Sequence, residues 1–120
     1  MKATLINNLY QYIKDNNPDI LLTLEETGDT TKYLSDKVNS IDSLVKQLTE
    51  EGRPQYIIEE TCINALTEDL KPSRYYYILR VLESEFEEQY NLYTESGLLM
   101  FEIRNMIKEC NSVFNDLNFA

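Results

Sequence analysis

The chain has no histidine and no tryptophan, and only three glycines, three prolines and two cysteines among its 120 residues. The missing histidine removes the commonest general base and the commonest metal ligand. A cysteine nucleophile would lack its usual activating partner, and the Glu-x-x-His motifs of carboxylate di-metal sites in helical bundles cannot be built. Calcium is satisfied by oxygen ligands alone, but no Asp-x-Asp-x-Asp-Gly loop occurs. No phosphate-binding loop, dinucleotide fingerprint or nucleophile elbow is present either. No metal, no cofactor and no enzymatic activity are therefore expected.

Long apolar runs are also lacking. No window approaches the ~20 apolar residues of a membrane span. The opening Met1-Lys2-Ala3-Thr4-Leu5-Ile6-Asn7-Asn8 turns polar before the apolar core of a signal peptide can form. A cytoplasmic protein with no membrane partner is the expectation. Basic residues are scarce, with 11 Lys and Arg against 21 Asp and Glu, for a net charge of −10. That balance repels phosphate backbones and argues against direct nucleic-acid binding. It suits solubility, a basic protein partner, or mimicry of nucleic acid towards a protein that binds it.

What is present is helical periodicity. With 42% hydrophobic and 27% charged residues, the composition is that of a folded chain, and its length suits one domain over residues 1–120. The spacing predicts an all-α, compact bundle of about five helices, near 3–16, 31–51, 54–69, 73–93 and 97–117. Gly and Pro fall at the breaks between them. Leu34, Val38, Ile41, Val45 and Leu48 form a one-sided stripe on the second helix. Tyr56, Ile58, Cys62, Ile63, Ala65 and Leu66 cover so much of the third that it is expected to be central. Ser73 is a natural N-cap for the fourth, whose expected core stripe includes Tyr75, Ile78, Leu82, Phe86, Gln89, Tyr90 and Tyr93. On the fifth, Leu99, Ile103, Met106, Cys110, Val113, Phe114 and Leu117 are expected inside. Cys62 and Cys110 both lie in apolar stripes and are read as reduced core thiols.

The stretch from Gly52 to Phe86 resembles a Bacteroidetes family of small helical proteins, classed as a domain of unknown function and often encoded among conjugative-transposon genes. Leu70, Ser73, Tyr75, Ile78, Val81, Leu82, Glu85 and Phe86 carry the likeness, and Leu9, Tyr10 and Pro18 fit the family's opening. Asp69, Pro72, Tyr76 and Glu83 depart from the family's usual Gly, aromatic, Asp and Trp. The resemblance implies an all-helical fold and supplies no activity.

Two sets of side chains stand out. Glu85 sits at the edge of the fourth helix's apolar stripe and is expected to be partly buried, paired with Arg74, Arg80, Arg104 or a helix N-terminus. With Tyr75 facing the core, Tyr76 and Tyr77 turn outward near Arg80, and Phe101 leaves the stripe of its own helix beside Arg104 and Lys108. Tyr and Arg are the residues most enriched in binding hot spots. Tyr76, Tyr77, Arg80 and Phe101 are thus the candidate partner contacts of a protein–protein interaction module, self-association included. The alternatives are a ligand-binding or enzymatic bundle that uses Glu85 with a buried Tyr75 or Tyr90, and an acidic nucleic-acid mimic.

Overall fold

A computed structural model describes residues Met1–Ala120. The chain is all-helical, with nine α-helices, one 3-10 turn and no strand: α1 (Lys2–Asn16), α2 (Pro18–Thr27), α3 (Thr30–Asn39), α4 (Asp42–Glu50), α5 (Gln55–Thr67), the turn Glu68–Leu70, α6 (Arg74–Glu85), α7 (Glu87–Ser96), α8 (Leu99–Glu109) and α9 (Asn111–Asp116). The class agrees with the periodicity, but the count of about five does not. Three of the expected helices are each broken in two, and the apolar piece around Ile20 to Leu24 is itself part of a helix.

Each break has a local cause. At Ser40, the side-chain hydroxyl donates to the Lys37 carbonyl at 2.5 Å, competing with the helix ladder, and Ile41 leaves helical geometry at φ −109°, ψ 18°. At Phe86, with φ −134° and ψ 52°, the acidic run itself is responsible. Glu83 and Glu85 oppose the negative C-terminal end of one helix dipole, whereas Glu87 and Glu88 favour the positive N-terminal end of the next. The Ser84 hydroxyl also donates back to the Arg80 carbonyl at 2.9 Å, an arrangement that bends helices. At Cys110 the chain turns once more, and Asn111 begins α9. Gly97 ends α7 at φ 74°, a left-handed conformation that costs glycine nothing.

The residues group into two compact units, one of Met1–Asp15 with Ile20–Asp69 and the other of Asn16–Asp19 with Leu70–Ala120. In the first unit, α1 contributes the buried Leu5, Leu9 and Ile13, α3 contributes Leu34 and Val38, and α4 contributes Leu48. α5 buries Ile58, Cys62, Leu66 and Thr67, more positions than any other helix. Its buried face is narrower than expected, because Tyr56 and Ala65 lie outside in solvent. Lys37 Nζ meets the Asp69 carboxylate at 2.6 Å.

The second unit is built on Ile78 and Leu82 of α6, Ile103 of α8 and Phe114 of α9. Tyr75, Leu79, Tyr90, Leu99, Met106, Ile107 and Phe119 pack around them. No residue of α7 is fully buried: the turn at Phe86 leaves Phe86 and Gln89 of the expected stripe exposed, while Tyr90 packs against the core partly buried. Leu117 and Val113 are likewise exposed rather than inside, because the break at Cys110 resets the helical phase. The start of α6 is tied down by Ser73, which caps the helix by accepting from the Tyr76 N–H at 3.1 Å and donates to the Asn16 carbonyl at 2.7 Å. Beside it, Asn17, fully buried, donates to the Leu70 carbonyl at 3.2 Å.

Loss of that cap is measurable. Ser73→Ala removes one acceptor and one donor and should destabilise the protein by about 1–2 kcal/mol, whereas Ser73→Thr, which keeps the hydroxyl, should recover most of it. Urea unfolding followed by far-ultraviolet circular dichroism checks both.

Candidate functional site

The sequence candidates Tyr76, Tyr77 and Arg80 all lie on α6 and all are exposed. Their surroundings differ. Tyr76 carries the Arg80 guanidinium over its ring, 5.8 Å from the centroid, a contact worth roughly 0.5–1 kcal/mol at an exposed position. Tyr77 is 54% exposed yet braced at its base, with edge-on contacts to Phe119 at 5.5 Å and Phe114 at 6.2 Å between ring centres. Such pairs contribute about 0.5–1.5 kcal/mol beyond the area they bury. Tyr77 is thus an aromatic held in one orientation with half its surface in water.

Arg74 supplies the brace. Its Nε donates to the Phe119 carbonyl at 3.1 Å, and its two terminal nitrogens donate to Asn111 Oδ1 at 2.8 Å and Asn115 Oδ1 at 2.7 Å. The same guanidinium lies 5.5 Å from the centre of the Phe114 ring. Asn111 and Asn115 are one helical turn apart, so a planar fork of donors spans the spacing between them. The chain closes on the same spot: the Ala120 N–H donates to the Pro72 carbonyl at 2.7 Å, and the Arg74 N–H donates to the Ala120 carbonyl at 2.8 Å. Nothing in helical periodicity points to Arg74 in this role. The pair Asn111 and Asn115, polar and four apart on a short helix, was the available clue.

Two open grooves meet at Tyr77. A shallow one of about 570 Å³ is lined by Tyr77, Arg80, Val81, Glu83 and Ser84. The second, about 530 Å³, runs between α6, α7, α8 and α9 and is mostly apolar: Tyr77, Ile78, Val81, Leu82, Phe86, Tyr93, Met106 and Phe114 line it with Gln89, Cys110 and Glu109. Phe86, 50% exposed, stands in its wall because the helix break that removed it from the core turned it there. Glu109 is the one charged residue among those lining it.

Phe101 is 60% exposed on α8 and lines neither groove, so it is not gathered with the α6 residues. Glu85 is not partly buried. It is exposed at the last position of α6, where the chain turns away at Phe86 into a helix that buries no residue, and it lines neither groove. Tyr75, one of the two tyrosines proposed to act with it, has its hydroxyl pKa raised, first by burial and then by the carboxylates of Asp19 and Glu83 and by Tyr90 when ionised. A raised pKa keeps that phenol protonated at neutral pH. No group of three or more His, Cys, Asp or Glu side chains is placed to hold a metal, and no helix is long and apolar enough to cross a membrane.

The two thiols are also unlike each other. Cys62 is fully buried, and burial pushes its thiol pKa up. Cys110, expected in the core, is exposed, because it sits at the turn between α8 and α9 where the stripe is interrupted. Compared with family models, curated proteins and solved structures, the chain finds no match.

Two outcomes follow from this geometry. Arg74→Lys should destabilise the protein by about 2 kcal/mol, nearly as much as Arg74→Met, since an ammonium group cannot reproduce the planar fork; urea unfolding tests it. A thiol-reactive chromophore should modify one cysteine rapidly in the native protein and the second only on unfolding, because the thiolate is the reactive form and Cys62 is both buried and harder to ionise. Cys110→Ser should abolish the fast phase.

Proposed function

We propose that this protein is a protein–protein interaction module that meets its partner through α6 of the second unit, with Tyr76, Tyr77 and Arg80 as contacts. The observation that carries the reading is Tyr77: half in water, braced by Phe114 and Phe119, and shared by both grooves. A rigid, half-exposed aromatic loses little conformational entropy on binding and offers a large contact area. Arg80, beside it, adds a charge-bearing donor fork already oriented over Tyr76. Phe101 stands apart from this patch, and its part in binding is secondary.

The chain's negative charge fits a basic partner. The reading as a nucleic-acid mimic draws on the same charge but leaves the apolar lining of the larger groove without a role. The reading as an enzyme or ligand-binding bundle rested on a partly buried Glu85, which is exposed. The family resemblance across residues 52–86 brings no activity with it.

Affinity capture from the native cell lysate, comparing wild type with a Tyr77→Ala, Arg80→Glu variant shown by circular dichroism to be folded, tests the proposal. A partner retained by the wild type should bind the variant on the order of 30-fold more weakly, the loss typical of removing hot-spot residues. Equal capture by both proteins would refute α6 as the contact.

A further inference from the structure

The apolar groove of the second unit calls for an occupant of definite chemistry. Its walls are four helices, and its lining places Tyr77, Val81, Phe86, Tyr93, Met106 and Phe114 along an open depression. The helix forming one wall, α7, buries no residue of its own. Grooves between helices accept a further helix, whose side-chain ridge packs into them. Met106 adds a flexible thioether that adapts to the shape of what enters.

Charge decides what kind of helix fits. From Val81 to Ile103 the chain has no Lys or Arg, while it carries Glu83, Glu85, Glu87, Glu88, Glu95 and Glu102. Glu87 and Glu88 form the first turn of α7, one of the helices that wall the groove, and Glu109 is in the lining itself. No cation is among the groove's lining residues: Arg74, 5.5 Å from the Phe114 ring, is hydrogen-bonded to Asn111, Asn115 and Phe119, and Arg80 is held over Tyr76. A second copy of this chain would bring acidic rim against acidic rim at a net charge of −10 apiece, an unfavourable meeting.

We infer that this groove receives an amphipathic helical segment of another protein, with an apolar stripe that enters the groove and Lys or Arg residues on its flanks that meet Glu87, Glu88 and Glu109. The mode is helix-in-groove recognition, with apolar anchors for affinity and charge for selection. It rests on the interaction reading above and specifies the partner.

The test uses the full chain and three fluorescent peptides of about 18 residues: one with Leu on a single helical face and Lys elsewhere, its twin with Glu for Lys, and a scramble of the first that destroys the apolar face. Fluorescence anisotropy at physiological ionic strength should give saturable binding of the Leu/Lys helix, with the Glu twin and the scramble each at least about tenfold weaker. Alkylating Cys110 with a bulky maleimide should abolish binding, while the same maleimide should leave the binding of a Cys110→Ser variant, whose one remaining thiol is buried, as it was before treatment. A Glu87→Gln, Glu88→Gln, Glu109→Gln variant should bind about tenfold more weakly.

Equal binding of the acidic twin, equal binding of the scramble, or binding undiminished by the maleimide would each overturn the inference. So would a dimer in sedimentation that the maleimide splits, since the occupant would then be a second copy. The two readings fail separately. If Arg80→Glu, outside the groove, releases the cellular partner while the maleimide does not, the α6 contact stands and the groove inference falls.

Discussion

The second unit depends on how the first turn of α6 is held. Ser73 and Arg74 are consecutive, yet they fasten segments far apart in sequence: Ser73 reaches the Asn16 carbonyl, and Arg74 reaches Asn111, Asn115 and Phe119. Helix starts leave backbone donors unpaired and must recruit partners. Here the capping residue also secures a remote piece of chain, so one local requirement does tertiary work. Because Arg74 fixes α9, it fixes Phe114, and Phe114 with Phe119 braces Tyr77. The exposed aromatic and one wall of the groove are consequences of a guanidinium whose three hydrogen bonds go to one short helix and the residues that follow it.

The run of glutamates from Glu83 to Glu88 has a second structural role beyond charge. Carboxylates weaken a helix end and strengthen a helix start, so a stretch with four glutamates in six residues is a natural place for one helix to stop and another to begin. The turn at Phe86 that results withdraws Phe86 and Gln89 from the core and leaves α7 without a buried residue. The same residues therefore open the groove and set the sign of the charge around it. A single uninterrupted helix over this stretch would have carried Phe86 along the same face as Ile78 and Leu82.

Several features were legible in the residues themselves. Helical class follows from periodicity, the cap at Ser73 from its residue type before an apolar run, and the ends at Gly28, Gly52 and Gly97 from glycine's freedom at positive φ. Ile78, Leu82, Ile103, Ile58 and Leu66 are buried where their spacing puts them. The outward turn of Tyr76 and Tyr77 follows from Tyr75 and Ile78 facing in. Less legible were the breaks at Ser40, Phe86 and Cys110, because a stripe read at a fixed angle per residue continues through a turn that changes the phase. Every misplacement downstream of those turns, at Phe86, Gln89, Cys110, Val113 and Leu117, is an error of phase rather than of residue type. Glu85, which precedes the turn, is a different case: it lies in α6 and is left uncovered at the helix end.

By itself, then, the sequence determined that the chain is helical, that its surface is strongly acidic, and that chemistry relying on histidine is closed to it, because those properties reside in residue types and their local spacing. Tertiary structure decided which apolar residues remain in water, that Arg74 is a brace and not a free surface charge, and that Tyr77, Phe86, Tyr93, Met106 and Phe114 face one depression. Those outcomes turn on where helices end and which distant segment each end is bonded to, and a periodic pattern contains neither.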